Sequence, residues 1–197
     1  MESLLPILLA ILTTLISPII IEWVKVKLTK PKTDPLNEAI KHNEQVNHQL
    51  EIMMDELQGD RIWIAMFHNG GHFYPTGKSI QKFSIFHERT NLDTDSIMDT
   101  FQNIPVSLFP KSLAQLHNDG EIHINSENIY EFNFFSKNHN INSLDMFSIE
   151  DLEGRFIGMM AIEFKKSKKL NKEDYIFIRN KLGAIGSILS HYLTKKK

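Results

Sequence analysis

The sequence predicts an α+β protein: an antiparallel sheet flanked by helices, preceded by one transmembrane helix and a short coiled-coil stalk. Three observations predict it. An uncharged apolar run fills Ser3 to Ile21, a heptad-spaced stripe starts at Leu36, and two apolar strands joined by a glycine turn precede an Asn-started amphipathic helix. At 197 residues the chain is long enough for one sizeable core plus an appendage. With 42% hydrophobic and 23% charged residues, a packed fold is expected over most of its length.

Taken in order, residues 1–24 read as a membrane anchor. About 19 helical residues at ~1.5 Å rise span ~28 Å, close to the hydrocarbon thickness of a bilayer, and SLLPILLAILTTLISPIII is apolar on all sides. No basic n-region precedes the run and no small-residue cleavage site follows it, so the segment is expected to stay attached. Lys25, Lys27, Lys30 and Lys32 lie just beyond it, and the positive-inside rule then places the C-terminal bulk in the cytoplasm of a single-pass cell-membrane protein. Membrane lipid around residues 3–24 is thus one expected partner, with Trp23 at the interface.

Residues 25–35 form a basic juxtamembrane hinge that Pro31 and Pro35 keep from continuing the helix. Residues 36–59 follow as a stalk. Leu36, Ala39, Asn43, Val46, Leu50, Met53 and Leu57 alternate in steps of three and four, the a and d positions of a heptad repeat with Asn43 at an a position. Homodimerisation through residues 36–57 is one consequence; the other reading is a single amphipathic helix packed on its own domain.

The globular part spans residues 60–197. Arg61 to His68 reads as a strand, HNGGHFYPTGK as a glycine-rich connection, and Ser79 to Arg89 as its antiparallel partner. Thr94 to Phe101 and Pro110 to Asn118 read as short helices, Glu121 to Asn125 as a strand, and Ser126 as the cap of a helix over residues 129–137. SLDMFSIED and RFIGMMAIEFK form a hairpin about Leu152-Glu153-Gly154, and Asn171 caps a long terminal helix whose Glu173 and Asp174 suit its positive end.

The strand, turn and strand containing Gly158 to Ala161, the basic linker, and the Asn-capped helix with Tyr175, Ile178, Leu182, Ile185 and Leu189 resemble a GAF domain. With the preceding helix and strand pair, the resemblance covers Leu36 to Leu193. It implies an antiparallel sheet with the N- and C-terminal helices on one face, a ligand pocket on the other, and dimers through those helices. Small bacterial and phage proteins of GAF type are similar in carrying a Phe-His-Asn-Gly stretch, here Phe67 to Gly70.

Candidate ligand-binding residues are His68, Asn69, Gly70, Gly71, His72, Phe73 and Tyr74, because two glycines let a backbone approach a ligand beside ring and amide side chains. The plainer reading is a hairpin loop in which Asn and Gly supply positive φ. His68 and His72 have a helical ligand spacing, but Gly70-Gly71 between them disfavours a helix, and no metal or other cofactor is expected. Lys165, Lys166, Lys168 and Lys169 form a basic run that reads as a solvated loop or as a contact for an acidic surface.

The absence of cysteine excludes disulfides and thiolate chemistry. GAF-related methionine-sulfoxide reductases and bilin-attaching domains use cysteines that this chain lacks. No nucleophile elbow, P-loop or dinucleotide fingerprint is present, so an enzyme is not expected. A net charge of -2 gives no footprint for nucleic acid. The expected function is a membrane-anchored sensor or binding module for a small ligand or protein partner at the cytosolic face. The alternative is a membrane-acting or scaffold protein, of bacterial or phage type, whose folded body is an oligomerisation platform.

Overall fold

The computed structural model describes residues 6, 14, 16–28, 34–72, 79–125, 131 and 140–193. The chain divides into two compact units, Met1–Ile40 and Lys41–Lys197. In the first unit, α1 (Ser17–Leu28) has 12 residues, which at ~1.5 Å each span ~18 Å against the ~30 Å of a bilayer core. It also contains Glu22 and Lys25. Among the described residues no helix is long and apolar enough to cross a membrane. The single-pass anchor, its cytoplasm-facing topology and the cell-membrane localisation drawn from it are therefore corrected; most of residues 3–16 lies outside the described residues. The membrane-acting alternative loses its premise with them.

Asp34 starts α2 (Pro35–Leu57): its Oδ1 accepts the Leu36 N–H at 3.0 Å, and Pro35 occupies the first turn, where a missing N–H costs little. Val46, Leu50, Met53 and Leu57 of this helix are all buried against the chain's own sheet. This corrects the coiled-coil stalk. The step of three and four is equally the stripe of an amphipathic helix on a core, and burial within the domain has consumed it.

The second unit is built on a six-stranded sheet. Its strands are β1 (Arg61–His72), β2 (Ser79–Thr90), β3 (Ile104–Pro105), β4 (Glu121–Asn125), β5 (Ser143–Glu150) and β6 (Phe156–Phe164), in the order β3-β2-β1-β6-β5-β4 with every pair antiparallel. On one face α2 and α4 (Lys172–Leu193) pack Leu50, Met53, Ile178, Ile185 and Leu189 onto Ile62, Ile64, Phe147, Met160 and Ile162. Asn171 and Asp174 cap α4 reciprocally: each backbone N–H donates to the other's side chain at 2.9 Å. The hairpin between β5 and β6 turns where expected. Asp151 Oδ1 accepts the Glu153 and Arg155 N–H groups, both at 2.9 Å, while Gly154 takes φ 74°.

The opposite face is covered by α3 (Pro110–Asp119) and the segment after β2. Residues 94–101 form turns and not the expected helix, because the Glu88 carboxylate takes the amides of Ile97 (2.9 Å) and Met98 (3.3 Å). Gly158 is demanded by sheet geometry: a Cβ there would lie 2.4 Å from the Ala65 carbonyl oxygen, so β6 crosses β1 too closely for any side chain. The helix expected over residues 129–137 lies outside the described residues.

Candidate functional site

Strand β1 runs on through the glycine-rich stretch. Opposite β2, Asn69 pairs with Gln81 and His72 with Ser79, so one extra residue bulges out, and Gly71 adopts φ 88°, which L side chains rarely take. His68 is half-buried on the face that carries α2 and α4. Its Nε2 lies 2.8 Å from Ser84 Oγ, and Ser84 Oγ accepts the Asn103 N–H at 2.9 Å. Lys82 is directly opposite His68 in the register and lays its stem over Gly70, where a Cβ would come within 2.3 Å of Lys82 Cδ. Asn69 and Gly71 are exposed.

Of the seven residues singled out from sequence, four therefore stand together at this strand end: His68, Asn69, Gly70 and Gly71. His72 closes the strand, and Phe73 and Tyr74 lie outside the described residues. Ser84 and Lys82 join the cluster from β2. Alternation in β2 could have found them, since both share the face of His68 once the pairing is known.

On the other face beside the same strand end, Phe67 meets Phe156 edge-on at 4.8 Å, and His117 of α3 stacks on Phe156 at 5.6 Å. The N-terminus of α3 is taken by an internal carboxylate: Glu131 accepts the N–H groups of Lys111 (3.0 Å) and Ser112 (2.9 Å) and the Ser112 hydroxyl.

At the other end of the sheet lies a buried charged frame. Arg61 pairs with Glu163 through Nη1 and gives Nη2 to the Asp95 carbonyl at 2.9 Å; Trp63 Nε1 donates to Glu163 at 2.5 Å. Glu88 stands 3.5 Å from Arg61 Nε and holds the 96–98 turn by its oxygens, including a bond from the Ser96 hydroxyl. Burial pushes the Glu163 carboxyl up, opposed by Arg61 and the Trp63 N–H. Its role is architectural, since the four side chains bond one another and the turn they fix, with Arg61 Nε facing Glu88 but making no hydrogen bond among the described residues.

The basic run is also partly absorbed. Lys168 Nζ donates to the Leu57 carbonyl at 2.6 Å, and Lys165 Nζ donates to the Asp93 carbonyl. Two of the four charges thus tie the loop to the end of α2 and to the turn after β2. Among the described residues no group of three His, Asp or Glu side chains could hold a metal ion.

A second polar junction sits beneath α4, where Asp145 of β5 is wholly buried and meets His123 of β4 and Tyr175 of α4. The sequence carried a usable signal for both charged clusters: Asp145 in SLDMFSIE and Glu163 in FIGMMAIEF interrupt apolar strands, where a charge must find a partner.

Compared with known proteins, the sequence matches no family model and no curated protein. Solved structures share its fold. A far-red cyanobacteriochrome photoreceptor superposes with a TM-score of 0.60 at 11% identity, over 88% of this chain and 99% of its own. The PixJ GAF domain of Thermosynechococcus elongatus in its blue-light absorbing form gives 0.59 at 10% identity, over 80% and 91%. The GAF domain/HD domain protein of Geobacter sulfurreducens gives 0.58 at 9% identity, over 79% and 97%. The likeness is one of fold: an α+β GAF-like architecture with an antiparallel sheet.

Proposed function

We propose that this chain is a GAF-like binding module, not an enzyme, and that it takes a small ligand or a protein partner where the end of β1 meets β2. The observation that carries this reading is the bulge at Asn69–His72, which gathers His68, Ser84 and Lys82 beside two glycines. Gly71, with nothing among the described residues within 4 Å of where a Cβ would sit, leaves its backbone open to close approach, while Gly70 makes room for the Lys82 stem. His68 is half-buried and held in place by the buried Ser84 hydroxyl, and Lys82 adds a positive charge over Gly70, so an anionic or acceptor-rich group suits the surface. The GAF-like fold supports a sensing role, since the similar solved domains include photoreceptors.

Pairing with a second copy through residues 36–57 now rests on a narrower base. Val46, Leu50, Met53 and Leu57 are spent on the core, which leaves Leu36 (66% exposed) and Ile40 (56% exposed) as the apolar contacts the helix still offers.

A ligand screen by thermal shift tests the site. A compound at ~100 times its Kd stabilises the native state by about 2.7 kcal/mol. The shift should shrink in His68→Ala/Asn69→Ala while the unliganded melting temperature stays close to that of the parent; an unchanged shift in the double variant removes this surface from consideration.

A further inference from the structure

The junction beneath α4 joins three elements through one carboxylate. Asp145 Oδ1 accepts from His123 Nδ1–H at 3.0 Å and from the Tyr175 hydroxyl at 2.9 Å. Its other oxygen, Oδ2, is buried and has no hydrogen-bond partner among the described residues. Two further carboxylates face the group: Glu121 on β4, held by Arg179 of α4 at 2.7 Å, and Asp174 on α4, engaged in the helix cap. Across β5 on the β6 side its neighbour is the apolar Ile162.

We propose that Asp145, His123 and Tyr175 form a proton-controlled latch that fixes the first turns of α4 to the β4–β5 edge, closed while His123 is protonated and loosened when it is not. A carboxylate removed from water needs both a compensating charge and donors for its lone pairs. The imidazolium supplies the charge. Once neutral, His123 still donates from Nδ1, but the carboxylate then keeps a full charge in the interior with one oxygen undonated, and Glu121 and Asp174 add like-charge repulsion. Burial, the largest influence, raises the Asp145 carboxyl above its ordinary range, so the assembled junction disfavours a carboxylate without a neighbouring positive charge.

Relief comes when the Tyr175 end of α4 lifts and water reaches Oδ2. A groove of about 420 Å³, lined by Phe147, Arg179 and Gly183, brings solvent to the next residue of β5 on the same face. The later turns stay seated, because Ile185 and Leu189 are buried in the apolar core independently of any proton. His123 retains a solvent-facing fraction of 21%, so it can exchange its proton without unfolding.

Amide hydrogen exchange on the full chain, corrected for intrinsic rates, tests this between pH 5.5 and 8. Protection of residues 174–181 should fall about tenfold over that range, with a midpoint matching the His123 ring titration followed by NMR, while residues 185–189 change little. His123→Gln should abolish the pH dependence locally. His87→Gln should preserve it. A flat profile in the parent protein, or the parental pH dependence surviving in His123→Gln, overturns the proposal. Asp145→Asn should also flatten the profile; if that variant does not fold, the His123→Gln comparison and the matched midpoint still decide.

Discussion

The two faces of the sheet are built on different physics. Beneath α2 and α4 the contact is an apolar stripe on an apolar stripe: Val46, Leu50, Met53 and Leu57 from one helix, Ile178, Ile185 and Leu189 from the other. On the opposite face an apolar core ends in the frame of Arg61, Glu88, Trp63 and Glu163, which ties the turn after β2 to the strands. Dispersion and burial are non-directional, so the first face tolerates approximate shapes. Buried charges need particular partners, so the second does not.

The difference predicts unequal responses to substitution, the largest on the charged face. Glu163→Ala leaves the Arg61 guanidinium and the Trp63 N–H buried without their acceptor, and should cost about 3–5 kcal/mol in a denaturant melt. Replacing Arg61 and Glu163 together with apolar residues of similar size should recover only part of that loss, because the Trp63 N–H still lacks its Glu163 acceptor and Glu88 loses the Arg61 charge. If Glu163→Ala proves as mild as a surface change, the frame is not buried as described.

With the Asp145 junction, His87 is a polar exception on the helix face, and it sharpens the contrast. It donates from Nδ1 to Asn47 Oδ1 of α2 at 3.2 Å, and burial, aided by the Arg89 charge, lowers its pKa from 6.5 to about 4. Between those values the unfolded chain binds the proton and the folded chain does not, so stability rises with pH. Its contribution is complete above about pH 6.5 and disappears as pH falls through 4, an effect of about 3 kcal/mol at most. His87→Gln should flatten the acid limb of a stability–pH curve.

The smallest effect belongs to the apolar stripe. Leu50→Met conserves volume at a fully buried position and should cost less than about 1.5 kcal/mol in the same melt. A larger loss would mean that the helix face is as shape-specific as the charged one.

Much of the fold was legible because it is local. The β5–β6 hairpin, the Asn171 cap and the long terminal helix are carried by alternation, a turn glycine and a side chain three residues from its amide. Where residues 94–101 were read as a helix, the deciding group was Glu88, up to ten residues earlier in sequence and on another element. His68 to Gly71 were recognisable as unusual, but the bulge and the approach of Ser84 and Lys82 depend on strand register, which a single strand does not reveal.

By itself the sequence determined the α+β class, five of the six strands, the Asn171 cap and the absence of thiol chemistry, since each follows from residue type and short-range periodicity. Tertiary structure decided the rest. It assigned the Val46-to-Leu57 stripe to the chain's own core in place of a paired stalk, and it gave α1 12 described residues, with Glu22, Lys25 and Lys27 among its apolar side chains. It also brought Asp145, His123 and Tyr175 to one point. Periodicity states that a face is apolar but not what covers it, and a charge in a strand states that a partner is needed but not which one.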